Sequence, residues 1–140
     1  MSSSNYMLVD MYMSADNKPI GWWLKEVDRL IEASFERLLA ADGLNRRQWQ
    51  ALNAAAGGEV IAVALAPFLD DDPAELAAVT NPLVEREWLT GDELTAAGSR
   101  ALADLTVKVR AHRRAITAGI SEPEYLTTVG VLRRMAGNLE

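Results

Sequence analysis

The sequence predicts a mainly α-helical protein with one small β-hairpin, and three observations predict it. Apolar residues recur at helical spacing in long stretches toward both ends. Helix-start signals stand at Asp72-Pro73-Ala74-Glu75 and at Ser121-Glu122-Pro123-Glu124, each a capping side chain followed by proline and an acid. Only one segment, Trp88 to Leu94, places a Gly-Asp turn between short extended pieces.

Hydrophobic residues at 49% and charged residues at 24% are those of a folded globular chain, and 140 residues are enough for one core that oligomerisation would reinforce. The chain has no cysteine, which excludes a disulfide framework, a thiolate nucleophile and a Cys-ligated metal. No stretch approaches the ~20 apolar residues of a membrane span, and the N-terminus has neither the basic nor the apolar region of a signal peptide. The expectation is a cytoplasmic protein that does not bind membranes. The net charge of −6 is unevenly spread: residues 1–58 hold seven acids and six bases, 59–93 nine acids and Arg86 alone, and 94–140 four acids and seven bases.

In chain order, residues 1–15 carry apolar side chains without a sustained period and read as an arm. A first helix is predicted from a cap at Asp16 or Asn17, with Pro19 in its first turn, to about Ala40. Trp23, Val27, Leu30, Ile31, Phe35 and Leu38 form its apolar stripe, and Trp22 lies off it, either on a second packing surface or as the wall of a pocket or seam. Gly43 suits the left-handed stop, Asn45 caps the next helix and Gln48 closes a capping box. That second helix runs from Arg46 to about Ala56 and stops at Gly57-Gly58. A third is expected from Glu59 to about Phe68, ending at Pro67. The fourth starts at Asp72, buries Leu76, Val79 and Leu83, and reaches Trp88. Pro82 either bends it or splits it, with Asn81 recapping the second piece. The hairpin turns at Gly91-Asp92, and Thr95 caps a long helix from Ala96 to about Ala118 whose seam is Leu102, Leu105, Val109, His112 and Ile116. Gly119 ends it. The last helix presents Leu126, Val129, Leu132, Met135 and Leu139.

Catalytic chemistry is poorly served. There is one histidine, no glycine-rich phosphate loop, no nucleophile elbow and no ligand cluster at metal spacing, so neither an enzyme nor a metal or cofactor site is expected. His112 reads as a hydrogen-bonded packing residue before a ligand contact or a pH sensor. Asp70-Asp71-Asp72 reads as a solvated helix cap before a cation site.

Four stretches carry a family resemblance over Pro19 to Leu139: Gly21-Trp22-Trp23-Leu24; Gly43-Leu44-Asn45-Arg46-Arg47-Gln48-Trp49-Gln50-Ala51-Leu52; Trp88-Leu89-Thr90; and Leu94-Thr95-Ala96-Ala97-Gly98. In order and spacing the sequence resembles the MarR-type transcription regulators, which often read GLTxxQWxVL at the second stretch and GWxT followed by LTxxG at the last two. The resemblance implies a single domain over 1–140: a winged helix-turn-helix lobe over 44–95 with a shortened wing, and dimerisation helices over 1–40 and 96–140. It implies a homodimer that binds duplex DNA in successive major grooves and responds to a small aromatic or apolar ligand held between lobe and dimer helices. Aligned with the family, the reading helix is Pro73 to Trp88, and the DNA contacts are Arg46, Arg47, Thr80, Asn81 and Arg86. The aromatic wall for a ligand is Trp22, Trp23, Phe35 and Trp49, with His112 as its titratable group; packing alone is the other reading of the tryptophans.

The charge pattern runs against DNA at this point. Affinity for a polyanion comes from Lys and Arg displacing counterions, yet the aligned reading segment holds nine acids and one base. Two function classes therefore stand: a ligand-responsive DNA-binding regulator, and a winged-helix homologue that has lost DNA binding and serves as a small-molecule or protein-interaction module. A basic face assembled in the dimer from Arg100, Lys108, Arg110, Arg113 and Arg114 would favour the first.

Overall fold

A computed structural model of the chain describes residues 18–140. The arm at 1–15 and the cap expected at Asp16 or Asn17 lie outside the described residues. The chain divides into two compact units, one ending at Arg46 and one from Arg47 to Glu140.

The first unit carries α1, Ile20–Ala40. Pro19, expected inside the first turn, is the N-cap instead, and its carbonyl accepts the amides of Trp22 and Trp23 at 3.0 and 3.3 Å. The helix stops as expected through Gly43, at φ 70°, while the Leu44 amide returns to the Leu39 carbonyl at 3.0 Å. Only Leu39 of α1 is buried; Trp22, Trp23, Leu24, Val27, Leu30 and Ile31 are all exposed.

The second unit begins in α2, Arg46–Ala56, whose bounds match the expected ones. Gly58, at φ 74°, lets the Glu59 amide fold back onto the Ala54 carbonyl and end the helix. The third helix is shorter than expected: α3 spans Ile61–Leu65 and tightens into a 3₁₀ turn over Ala66–Phe68, because Pro67 offers no amide to continue the α ladder.

In α4, Pro73–Glu85, Asp72 caps the start and accepts the Ala74 amide at 2.9 Å. The helix passes Pro82 without splitting, so Asn81 lies inside it and recaps nothing. The carbonyl that proline leaves unbonded is that of Ala78, an exposed residue whose oxygen water can satisfy. The helix ends at Glu85 rather than Trp88. Glu87 adopts φ 63°, its amide bonds the Val84 carbonyl at 2.9 Å, and the Trp88 amide bonds Leu83 at 3.0 Å. This is a Schellman stop built on a glutamate.

The hairpin is β1, Leu89–Thr90, against β2, Glu93–Leu94, antiparallel with Leu89 opposite Leu94 and Thr90 opposite Glu93, turning on Gly91-Asp92. Thr95 caps α5, Ala96–Ile116, by accepting the Gly98 amide at 3.0 Å. Gly98 packs against the backbone just before β1: a Cβ there would lie 2.1 Å from the Trp88 carbonyl oxygen. The seam Leu102, Leu105 and Val109 is buried. Gly119, at φ 78°, precedes α6, Glu122–Leu139, whose start is the expected capping box of Ser121 and Glu124. Nothing on α6 is buried. The core of the second unit is Leu52, Ile61, Leu65, Val79, Leu83 and Leu89, closed by the α5 seam.

Candidate functional site

Helix α4 and the wing form the face that the sequence assigns to nucleic acid. Asn81 is exposed, one turn before the helix end. Thr80, beside it, is half-buried and donates its hydroxyl to the Leu76 carbonyl at 3.2 Å, so its first partner is its own helix. The three assigned arginines are each seated on an aromatic ring. Arg46 stands 5.3 Å above Phe35 and pairs with Glu32 at 3.3 Å. Arg47 lies 4.7 Å above Phe68 and donates to the Gln50 side-chain oxygen at 2.9 Å, and Arg86 lies 4.9 Å above Trp88. Surface contacts of this kind are worth about 0.5–1 kcal/mol each, enough to hold a guanidinium in place and too little to withhold it from a phosphate.

The wing acids divide by role. Both are exposed, but Asp92 accepts the Ile61 amide at 3.0 Å. The residue before α3, Val60, has no side chain able to cap, so the hairpin supplies the acceptor from 31 positions away. Asp92 thus ties the wing to α3. Sequence spacing gave no sign of this bond.

The side chains proposed for a ligand distribute as follows. Trp22, Trp23 and Phe35 belong to α1, where the two tryptophan rings meet edge to face at 4.7 Å and both are exposed. Trp22 is therefore not core in this chain. In the second unit, Trp49 lines a groove of about 530 Å³ between α2, the 3₁₀ turn and the C-terminal half of α5. Phe68, Asn53 and Glu59 line it with Trp49, and Arg110 and Arg113 reach it from α5. His112 is half-buried on α5 and is not part of this lining. The groove's size falls within the range of small-molecule sites, and its lining brings two aromatic side chains together with two arginines. Arg110 and Arg113 follow Thr106 and Val109 at helical spacing, a face the sequence displayed; that Phe68 would meet it depended on the 3₁₀ turn. Among the described residues no group of three or more His, Asp or Glu is placed to hold a metal ion, and no helix is long and apolar enough to cross a membrane.

No family model matches the chain, and no curated protein does. Solved structures do. A Listeria innocua protein of unknown function matches at a TM-score of 0.69 and 16% identity, over 99% of this chain and 100% of that one. A MarR family protein of Mycobacterium tuberculosis, in complex with DNA, matches at 0.67 and 19%, over 84% and 97%, and the same protein has been solved with salicylic acid. A transcriptional regulator of the MarR family from a Rhodococcus species matches at 0.65 and 22%, over 87% and 98%. The fold of this chain is a MarR-type winged helix with a two-stranded wing.

Proposed function

We propose that this chain is a cytoplasmic, homodimeric transcription regulator of MarR type, not an enzyme, whose hold on duplex DNA is set by a small planar anion. The observation that carries the reading is the helix order and hairpin it shares, over 84% of its length, with a protein solved on DNA. Asn81, exposed on α4, reads a base edge with Thr80 beside it, and Arg46, Arg47 and Arg86 meet phosphates. The dimer is supported by apolar surface on the terminal helices: Val27, Leu30 and Ile31 on α1, and Leu126 and Leu139 on α6, are exposed in the single chain. The ligand is an aromatic carboxylate in the Trp49 groove, its ring against Trp49 and Phe68 and its charge toward Arg110 and Arg113.

One observation favours a second reading, in which the fold has given up DNA for a small molecule or a protein. The segment 59–93 offers a single base against nine acids. Selection from a randomised duplex library separates the two. The regulator reading predicts enrichment of a two-fold symmetric site whose half-sites lie about one helical turn apart, with Asn81→Ala relaxing one position by about 1–3 kcal/mol. A library that emerges unenriched would leave only the second reading.

A further inference from the structure

The Trp49 groove holds charge of both signs, and a ligand with a carboxylate alone answers to only one of them. Besides Trp49, Phe68 and the two arginines of α5, its lining includes Glu59 and Asn53. Glu59 follows the Gly57-Gly58 stop, and its amide bonds the Ala54 carbonyl at 2.9 Å, which fixes it at the C-terminal end of α2. Asn53 lies in the last turn of the same helix. Its side-chain nitrogen donates to the Trp49 carbonyl at 2.9 Å, which leaves the oxygen of that amide to accept. A carboxylate and an amide oxygen thus meet at one end of the groove.

The other end differs in character. Arg47 covers Phe68 at 4.7 Å and donates to the Gln50 side-chain oxygen at 2.9 Å, so Phe68 and Gln50 stand toward the N-terminal end of α2. From Gln50 to Ala54 the helix rises about 6 Å, a span that one substituted benzene ring bridges. Glu59, Arg110 and Arg113 form no ion pair with one another or with any other described residue. Screening acts over about 8–10 Å at physiological salt, so within a groove of about 530 Å³ Glu59 opposes a bare carboxylate. An ammonium on the same ligand turns that repulsion into attraction.

We infer that the ligand of this groove is an aromatic carboxylate that also carries an amino group. Its ring lies against Trp49 and Phe68, its carboxylate on Arg110 and Arg113, and its ammonium on Glu59 and the Asn53 amide oxygen. The inference rests on the ligand reading of the groove given above and adds the charge which that reading leaves unanswered. Glu59 is the residue that selects the amino-bearing ligand over its plain carboxylate counterpart.

The test is isothermal titration of the full chain with three compounds: para-(aminomethyl)benzoate; para-ethylbenzoate, which replaces the ammonium by a methyl group at nearly the same shape; and benzylamine, which lacks the carboxylate. The first is expected to bind about fivefold more tightly than either of the others, the size of one partly exposed ion pair. Glu59→Gln should bring the two carboxylates to within about twofold of each other. Arg110→Gln with Arg113→Gln should weaken both carboxylates and keep their order. The Glu59 side chain is exposed and the bond to Ala54 is made by its backbone, so glutamine leaves the fold intact, and an unchanged thermal midpoint verifies that. Equal binding of the two carboxylates to the parent, or a preference that survives Glu59→Gln, overturns the inference while the ligand reading stands. Failure of both carboxylates to bind, or benzylamine binding as tightly as para-(aminomethyl)benzoate, overturns the inference and the ligand reading with it.

Discussion

Leu52, Ile61, Leu65, Leu83 and Leu89 are each at most 2% exposed, whereas α6, with leucine, valine and methionine at the same helical spacing, buries none of its residues. Helix α1 lies nearer the second case, with Leu39 alone buried. The amphipathic pattern is equally clear in both regions. What differs is whether the chain supplies the other half of the contact: the lobe closes its core with its own α5 seam, and the terminal helices hold apolar stripes that the single chain leaves uncovered, which the proposed dimer would close. A pattern of apolar residues thus specifies an interface before it specifies which chain completes it.

The lobe's self-sufficiency should break most sharply at Gly98. Its replacement by alanine drives a Cβ into the Trp88 carbonyl, where the wing and α5 are both backbone and neither can yield. A loss of about 3 kcal/mol in denaturant unfolding is expected. A stability within about 0.5 kcal/mol of the parent would mean that the two elements are not held so close.

The terminal helices should respond differently. Leu30→Asp lies on the exposed stripe of α1, so the lobe's helical signal should persist while the dimer separates. Withdrawing that apolar area from both copies removes about 3–6 kcal/mol, a hundredfold or more in the dimer dissociation constant. Sedimentation equilibrium reads this directly, and an unaltered association constant would leave α1 without a role in the dimer.

A smaller effect sharpens the picture of the lobe. Asp92→Ala removes the acceptor of the Ile61 amide and should cost about 1 kcal/mol. It should also accelerate hydrogen exchange at Ile61 ahead of the α5 amides. Exchange unchanged at that amide would break the proposed tie between wing and α3.

The smallest effect belongs to α6. The Ser121 amide and hydroxyl hold the Glu124 carboxyl below its ordinary value of 4.5. A depressed carboxyl stabilises the fold above the unfolded value, and that contribution disappears as pH falls through the folded one. Helicity in α6 should therefore decline below about pH 4.5 in the parent and show a shallower decline in Glu124→Gln, compared by circular dichroism.

The sequence made the local features legible and left the distant ones hidden. The α2 bounds, the Asp72 and Ser121 caps and the Gly91-Asp92 turn are set within a few residues, so spacing alone located them. The end of α4 was placed three residues late because its stop is a glutamate at positive φ, and only a glycine would have announced it. Pro82 reads as a bend or a break, but the helix runs through it to Glu85, and the bond it removes falls at Ala78, an exposed residue. In the candidate site, Asn81 and Trp49 enter through the family resemblance, and the sequence offers Asn81 also as the cap of a second helical piece. The groove was not, since Phe68, Arg110 and Trp49 come together only through the 3₁₀ turn and the packing of α5. Asp92 is legible only as a turn residue, because its partner lies too far along the chain for periodicity to show.

The measurement that bears most directly on the regulator reading is binding of the purified protein to random-sequence duplex DNA at low and moderate salt, followed by anisotropy. The account predicts measurable affinity that falls steeply with salt, as the basic side chains of 94–140 and the arginines at 46, 47 and 86 release counterions. An absence of binding even at low salt would contradict it and leave a winged helix whose acidic face serves something other than DNA.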